Sequence, residues 1–85
     1  MFKVILDSTL YEFEEHQYTS KLRAIKKFRD LKNKHIKEDL FSTQSNYTHT
    51  LLLREVELNN RGVVNKFKTL GIFHKEKKED LKWKN

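Results

Sequence analysis

The sequence predicts one small α+β domain. Three observations carry that reading. "MFKVILD" at the chain start alternates like a strand, "KLRAIKKFRDLKNKHIKEDL" keeps one apolar arc like a helix, and "HTLLLREVELN" reads as strand again. Eighty-five residues leave room for a single core, which buries only a modest part of its surface.

The first strand places Phe2, Val4 and Leu6 on one side and Lys3, Ile5 and Asp7 on the other. Asp7-Ser8-Thr9 favours a tight turn, and "LYEFEEHQY" then alternates Tyr11 and Phe13 against Glu12, Glu14 and His16. The two segments are expected to form an antiparallel hairpin. Thr19 or Ser20 supplies a capping hydroxyl for the helix that follows. At about 100° per residue, Ala24, Ile25, Phe28, Leu31 and His35 share one arc, which the hairpin can cover. Phe28 and Leu31 are expected to bury against Val4, Leu6 and Phe13. "FSTQSNYT", residues 41–48, reads as a loop. The run Leu51-Leu52-Leu53 asks for burial on both faces, so the third strand is expected inside the sheet.

Residues 60–71 admit two readings. As a helix, Val63, Val64, Phe67 and Leu70 form one stripe, Asn59 or Asn60 caps its start, and Gly71 ends it in the left-handed conformation, with Ile72 packing back on Phe67. As a strand, Leu70 and Ile72 fall opposite Val63, Phe67 and Phe73 unless a bulge near Gly71 intervenes. The helix accounts for more features at once and is preferred. With "LGIF" and a charged stretch behind it, that helix resembles the recognition helix and wing of winged-helix DNA-binding domains. "HTLLLREVEL" reads as strand where those domains place a helix, so no family is assigned. Residues 76–85 are expected to form a frayed basic tail or a short edge strand.

Charge is unevenly distributed. The net is +6 overall, but residues 1–19 carry −3 and residues 20–40 carry +5. Such asymmetry points to a polyanionic partner, most often nucleic acid. Arg23, Lys26, Lys27, Lys34 and Lys37 lie opposite the helix's apolar arc with only Asp30 among them, where phosphate contacts would release condensed counterions. Arg61, Lys66 and Lys68 would extend this surface from the second helix. Trp83, between Lys82 and Lys84, is a candidate for stacking on a base, although a terminal tryptophan more often covers a core edge. Against all of this stands the plain reading that lysine-rich helix faces are usually just solvated.

No enzyme chemistry is expected. The chain lacks cysteine, a nucleophile with a base beside it and a glycine-rich phosphate loop, having only Gly62 and Gly71. His16, His35, His49 and His74 are scattered along it, so neither a metal site nor a cofactor is expected. The glutamates around His16 are read as the wet face of a hairpin. Ten aromatic residues argue against disorder. No run is apolar enough for a signal peptide or a membrane span, and a cytoplasmic location is expected. The proline-free, Lys/Asn/Glu-rich composition has the style of small phage or plasmid genes of AT-rich genomes. The residues favour a non-enzymatic, nucleic-acid-binding regulatory or accessory protein. The alternative is an accessory or inhibitor factor of phage type, aimed at a host or anti-defence protein, docking its basic face on an acidic partner. Self-association of the acidic hairpin against the basic helix is also open.

Overall fold

Two hairpins and one long helix build the domain in a computed structural model that describes residues 1–79. The chain runs β1 (Phe2–Ser8), β2 (Glu14–Tyr18), α1 (Lys21–Glu38), α2 (Leu40–Thr43), β3 (Tyr47–Leu58) and β4 (Val64–Lys77). The strands form one antiparallel sheet in the order β2-β1-β3-β4, with α1 against one of its faces. This is the α+β architecture expected, and β3 takes the interior position that its three leucines require.

The core follows from two periodicities meeting. Val4 and Leu6 of β1 and Leu51 and Leu53 of β3 point to the helix side and are buried with Ala24 and Leu31 of α1. Ser20 caps α1 by accepting a hydrogen bond from the Arg23 amide (3.4 Å). The helix stops at Asp39, which adopts a left-handed conformation (φ 55°) and donates its amide to the Ile36 carbonyl. A single further turn, α2, then occupies the start of the segment expected to be loop and buries Phe41.

Two further expectations need correction. β2 begins at Glu14, because Thr9 is tied to β3 and the chain bends before it can extend. The Thr9 amide donates to the Thr48 carbonyl (2.9 Å), and the Thr48 amide donates to the Thr9 hydroxyl (3.1 Å). This resets the alternation. Glu14, His16 and Tyr18 stand opposite Leu6, Val4 and Phe2 on the helix side, while Phe13 is left 65% exposed outside the core.

Residues 60–71 are not a helix. Val64–Lys77 form the longest strand, paired with β3 through two irregularities. Gly71 faces Leu53 and Thr69 faces Arg54, so Leu70 is the extra residue of a bulge. The bulge turns Leu70 towards the core alongside Phe73 and leaves Phe67 and Ile72 on the opposite face. A helix-like spacing of apolar residues therefore arises from a strand with one inserted residue. The left-handed glycine is Gly62 (φ 76°), in the turn that joins β3 to β4. There the Asn59 side chain accepts hydrogen bonds from the Arg61 and Val63 amides (2.9 and 3.0 Å).

At the tail the edge-strand reading holds for the first residues, since Glu76 and Lys77 belong to β4, the outer strand of the sheet. Trp83 lies outside the described residues. The last bond from β3 to the chain start runs from the Val56 amide to the Met1 carbonyl (2.7 Å); beyond it β3 pairs with β4 alone, so the second hairpin projects as a two-stranded arm and the described residues measure 60 × 27 × 19 Å.

Candidate nucleic-acid interface

The helix gathers most of the predicted basic residues. Its 18 residues carry eight lysines and arginines against Asp30 and Glu38. With Ala24, Leu31 and His35 turned inward, Arg23, Lys26, Lys34 and Lys37 are exposed and Lys27 is half-buried. Among the described residues, only Lys34 of these five reaches a carboxylate, Glu38 one turn along at 4.0 Å. Such an exposed pair at this distance contributes a few tenths of a kcal/mol at most. The charge of Arg23, Lys26, Lys27 and Lys37 thus faces water without an ion-pair partner among these residues. Arg23, Lys26, Lys27 and Asp30 also line a shallow recess of about 240 Å³ against Tyr18 of β2. This is a concave cationic surface fixed by regular structure on both sides.

The structure separates Arg61, Lys66 and Lys68 from that surface. Arg61 sits in the β3–β4 turn. Lys66 stands directly across from Glu57 and Lys68 from Glu55 in the register of the arm. Cross-strand pairs of opposite sign stabilise a ribbon and cancel its field at a distance, so these two lysines add little to a polyanion site. Spacing alone could not show this, because the cancelling partners lie nine and thirteen residues away.

A second cluster was not visible in the sequence. His35 of α1 and His49 of β3 are both buried, with ring centroids 5.0 Å apart, and Tyr11 stacks on His35 at 3.9 Å. The Ser8 hydroxyl is hydrogen-bonded to Nδ1 of His49 (2.9 Å). The Tyr11 hydroxyl, His35 Nδ1 and His49 Nε2 are buried without hydrogen-bond partners. Burial lowers the His49 pKa to about 4, helped by the charge of His35 and His74. Burial also lowers His35, where Glu38 opposes the shift. The Tyr11 phenol is pushed up to about 12 by burial and by the Glu38 carboxylate.

One signal was present for each histidine. His35 shares the apolar arc of α1, and His49 shares the parity of Leu51 and Leu53; nothing in the spacing joins the two. His16 makes a 3.0 Å contact with Glu14, and His74 bonds Thr50 at 2.8 Å, so neither joins the cluster. Among the described residues no group of three or more His, Asp or Glu side chains gathers around a metal-sized site. Nor, among them, is any helix long and apolar enough to cross a membrane. No family model matches the chain, and no curated protein or solved structure matches it.

Proposed function

We propose that the protein is a non-enzymatic nucleic-acid-binding factor, small and accessory in character, that uses the basic face of α1. The observation that supports this reading is the row Arg23, Lys26, Lys27 and Lys37, which lacks ion-pair partners among the described residues. Ordinary solvated helix faces interleave acids at i,i+4 and lower their own field; this one carries only Asp30, which forms no ion pair with Lys26 or Lys34 among the described residues, and Glu38, 4.0 Å from Lys34. The contacts such a face offers are to phosphates, and phosphates fix position and affinity without reading sequence.

The test is salt-dependent binding to an arbitrary oligonucleotide. Replacing Arg23, Lys26 and Lys27 together with Gln should weaken binding and reduce the salt slope by about 2–3. Lys66→Gln with Lys68→Gln, whose charges Glu57 and Glu55 oppose, should change the slope by less than about 1. Equal effects from both variants would discard the helix face as the site. Wild-type protein with no salt-dependent affinity, together with retention of one acidic protein partner, would replace this reading by protein docking.

A further inference from the structure

Among the described residues, one face of the sheet carries no helix or loop. Register and alternation arrange its central residues in three rows across the strands. Asp7 aligns with Thr50 and His74; Ile5 aligns with Leu52 and Ile72; Lys3 aligns with Arg54 and Thr69. The middle row is apolar across three strands, and Ile72 is 63% exposed. Phe67, 60% exposed, extends the apolar surface beyond the third row and lies under the Arg54 guanidinium, 4.7 Å from its ring centroid. Exposed apolar surface on this scale is a liability for an isolated chain.

We propose that this face is the interface of a two-fold symmetric homodimer, formed by two sheets packed back to back. The charge pattern selects a second copy as the occupant. An acidic residue, Asp7, lies on one side of the apolar row, and two basic ones, Lys3 and Arg54, lie on the other. A two-fold axis running along the middle row lays Ile5, Leu52 and Ile72 on their own equivalents, and at the row's end on β2 it brings the two Glu15 together, each held by its own Lys3 at 3.5 Å. It also sets Asp7 of each copy over Lys3 and Arg54 of the other. This is the self-complementarity that an isologous interface demands.

The two charged groups, Asp7 and Arg54, have no ion-pair partner of their own among the described residues, and the buried Arg54 Nε has no acceptor. Lys3 already holds Glu15 at 3.5 Å, so Arg54 is the better receiver of the incoming carboxylate. The footprint is modest. Four strands at about 4.8 Å, of about 3.4 Å per residue, present a flat area of roughly 600 Å², below the ~800 Å² per partner of a standard interface and in the range of a weak dimer. The concentrated positive charge of α1 lies on the far side of each protomer, so the two helices do not repel across the interface.

Sedimentation equilibrium on the full chain in about 0.15 M salt tests the proposal. The expected species at high concentration has twice the 10.3 kDa chain mass. Ile72→Glu, on an exposed position, should keep the circular dichroism of wild type and weaken the dimer at least about tenfold. Asp7→Arg should weaken it as well, and adding Arg54→Glu to Asp7→Arg should restore much of the loss by exchanging the charges. A chain monomeric at every concentration overturns the proposal. So does a dimer that Ile72→Glu leaves intact, because that dimer would join through a sheet edge. Failure of the charge exchange to restore association, with the fold preserved, rejects the back-to-back register.

Discussion

Alanine at each of the two glycines separates the strand from the helix it imitates. At Gly71 an added Cβ would lie 3.5 Å from the Phe28 ring atoms Cε1 and Cζ and 3.6 Å from Leu53 Cβ, ordinary van der Waals contact. The position is half-buried and its φ is not left-handed, so the methyl gains part of the ~0.8 kcal/mol of a buried carbon. Alanine also narrows the unfolded ensemble, which adds about 0.4–1 kcal/mol. Gly71→Ala is therefore expected to stabilise by about 1 kcal/mol, raising the melting temperature by roughly 4–8 °C in a domain of this size. At Gly62 nothing lies within 4 Å, but φ is +76°. The left-handed conformation costs a side chain roughly 1–2 kcal/mol, so Gly62→Ala should destabilise by about that much. Urea titrations of wild type and both variants, followed by circular dichroism, give the two differences directly. A Gly71→Ala protein that loses about 1 kcal/mol or more beside a neutral Gly62→Ala would place the left-handed residue at 71. The β4 bulge, and the face assignments that depend on it, would then be wrong.

Two further predictions concern the core. His35 and His49 are held neutral in the fold and take up protons in the unfolded chain below about pH 6.5. Stability should thus be complete above that pH and fall as pH drops towards 4, where His49 itself titrates, by about 3 kcal/mol from His49. Melting temperatures that do not change between pH 7 and pH 5, above the carboxylate range, would refute the buried neutral pair. Phe28→Ala removes a ring that packs on the core cluster beside Gly71 and should cost about 3 kcal/mol; a variant that melts like wild type would mean α1 presents another face to the sheet.

What the sequence disclosed and what it hid divide along the range of the interactions. β1 and α1 were legible because each is specified locally: Val4 and Leu6 keep period two, and Ala24, Leu31 and His35 keep period 3.6. The interior place of β3 was legible from three consecutive leucines. β4 was not, because its bulge at Leu70 inserts one residue and turns a period of two into spacings that a helix also produces. Phe13 was misplaced for a similar reason: hydrogen bonds between Thr9 and Thr48, 39 residues apart, reset the alternation before β2. The same limit applies to the charges. The helix lysines could be sorted by periodicity alone, whereas the carboxylates opposing Lys66 and Lys68 appear only once strand register is known. The meeting of His35 with His49 likewise depends on how α1 crosses β3.

The basic face of α1 and the bare face of the sheet lie on opposite sides of a two-layer domain, and this decides how binding and association can influence each other. In a back-to-back dimer two sheets sit about 10 Å apart, with a helix layer about 10 Å thick outside each. The two basic faces then point away from each other across roughly 30 Å of protein. A short oligonucleotide cannot touch both, so its affinity per protomer should not depend on whether the protein is dimeric, and two should bind each dimer without cooperativity. Multivalent gain requires a strand long enough to wrap around an edge of the dimer, and is lost when geometry forbids it. Ile72→Glu is the probe. The monomeric variant should bind a short oligonucleotide as wild type does and bind a long one more weakly. If it loses affinity for the short one as well, the sheet face contacts nucleic acid itself, and the division of labour between the two faces fails.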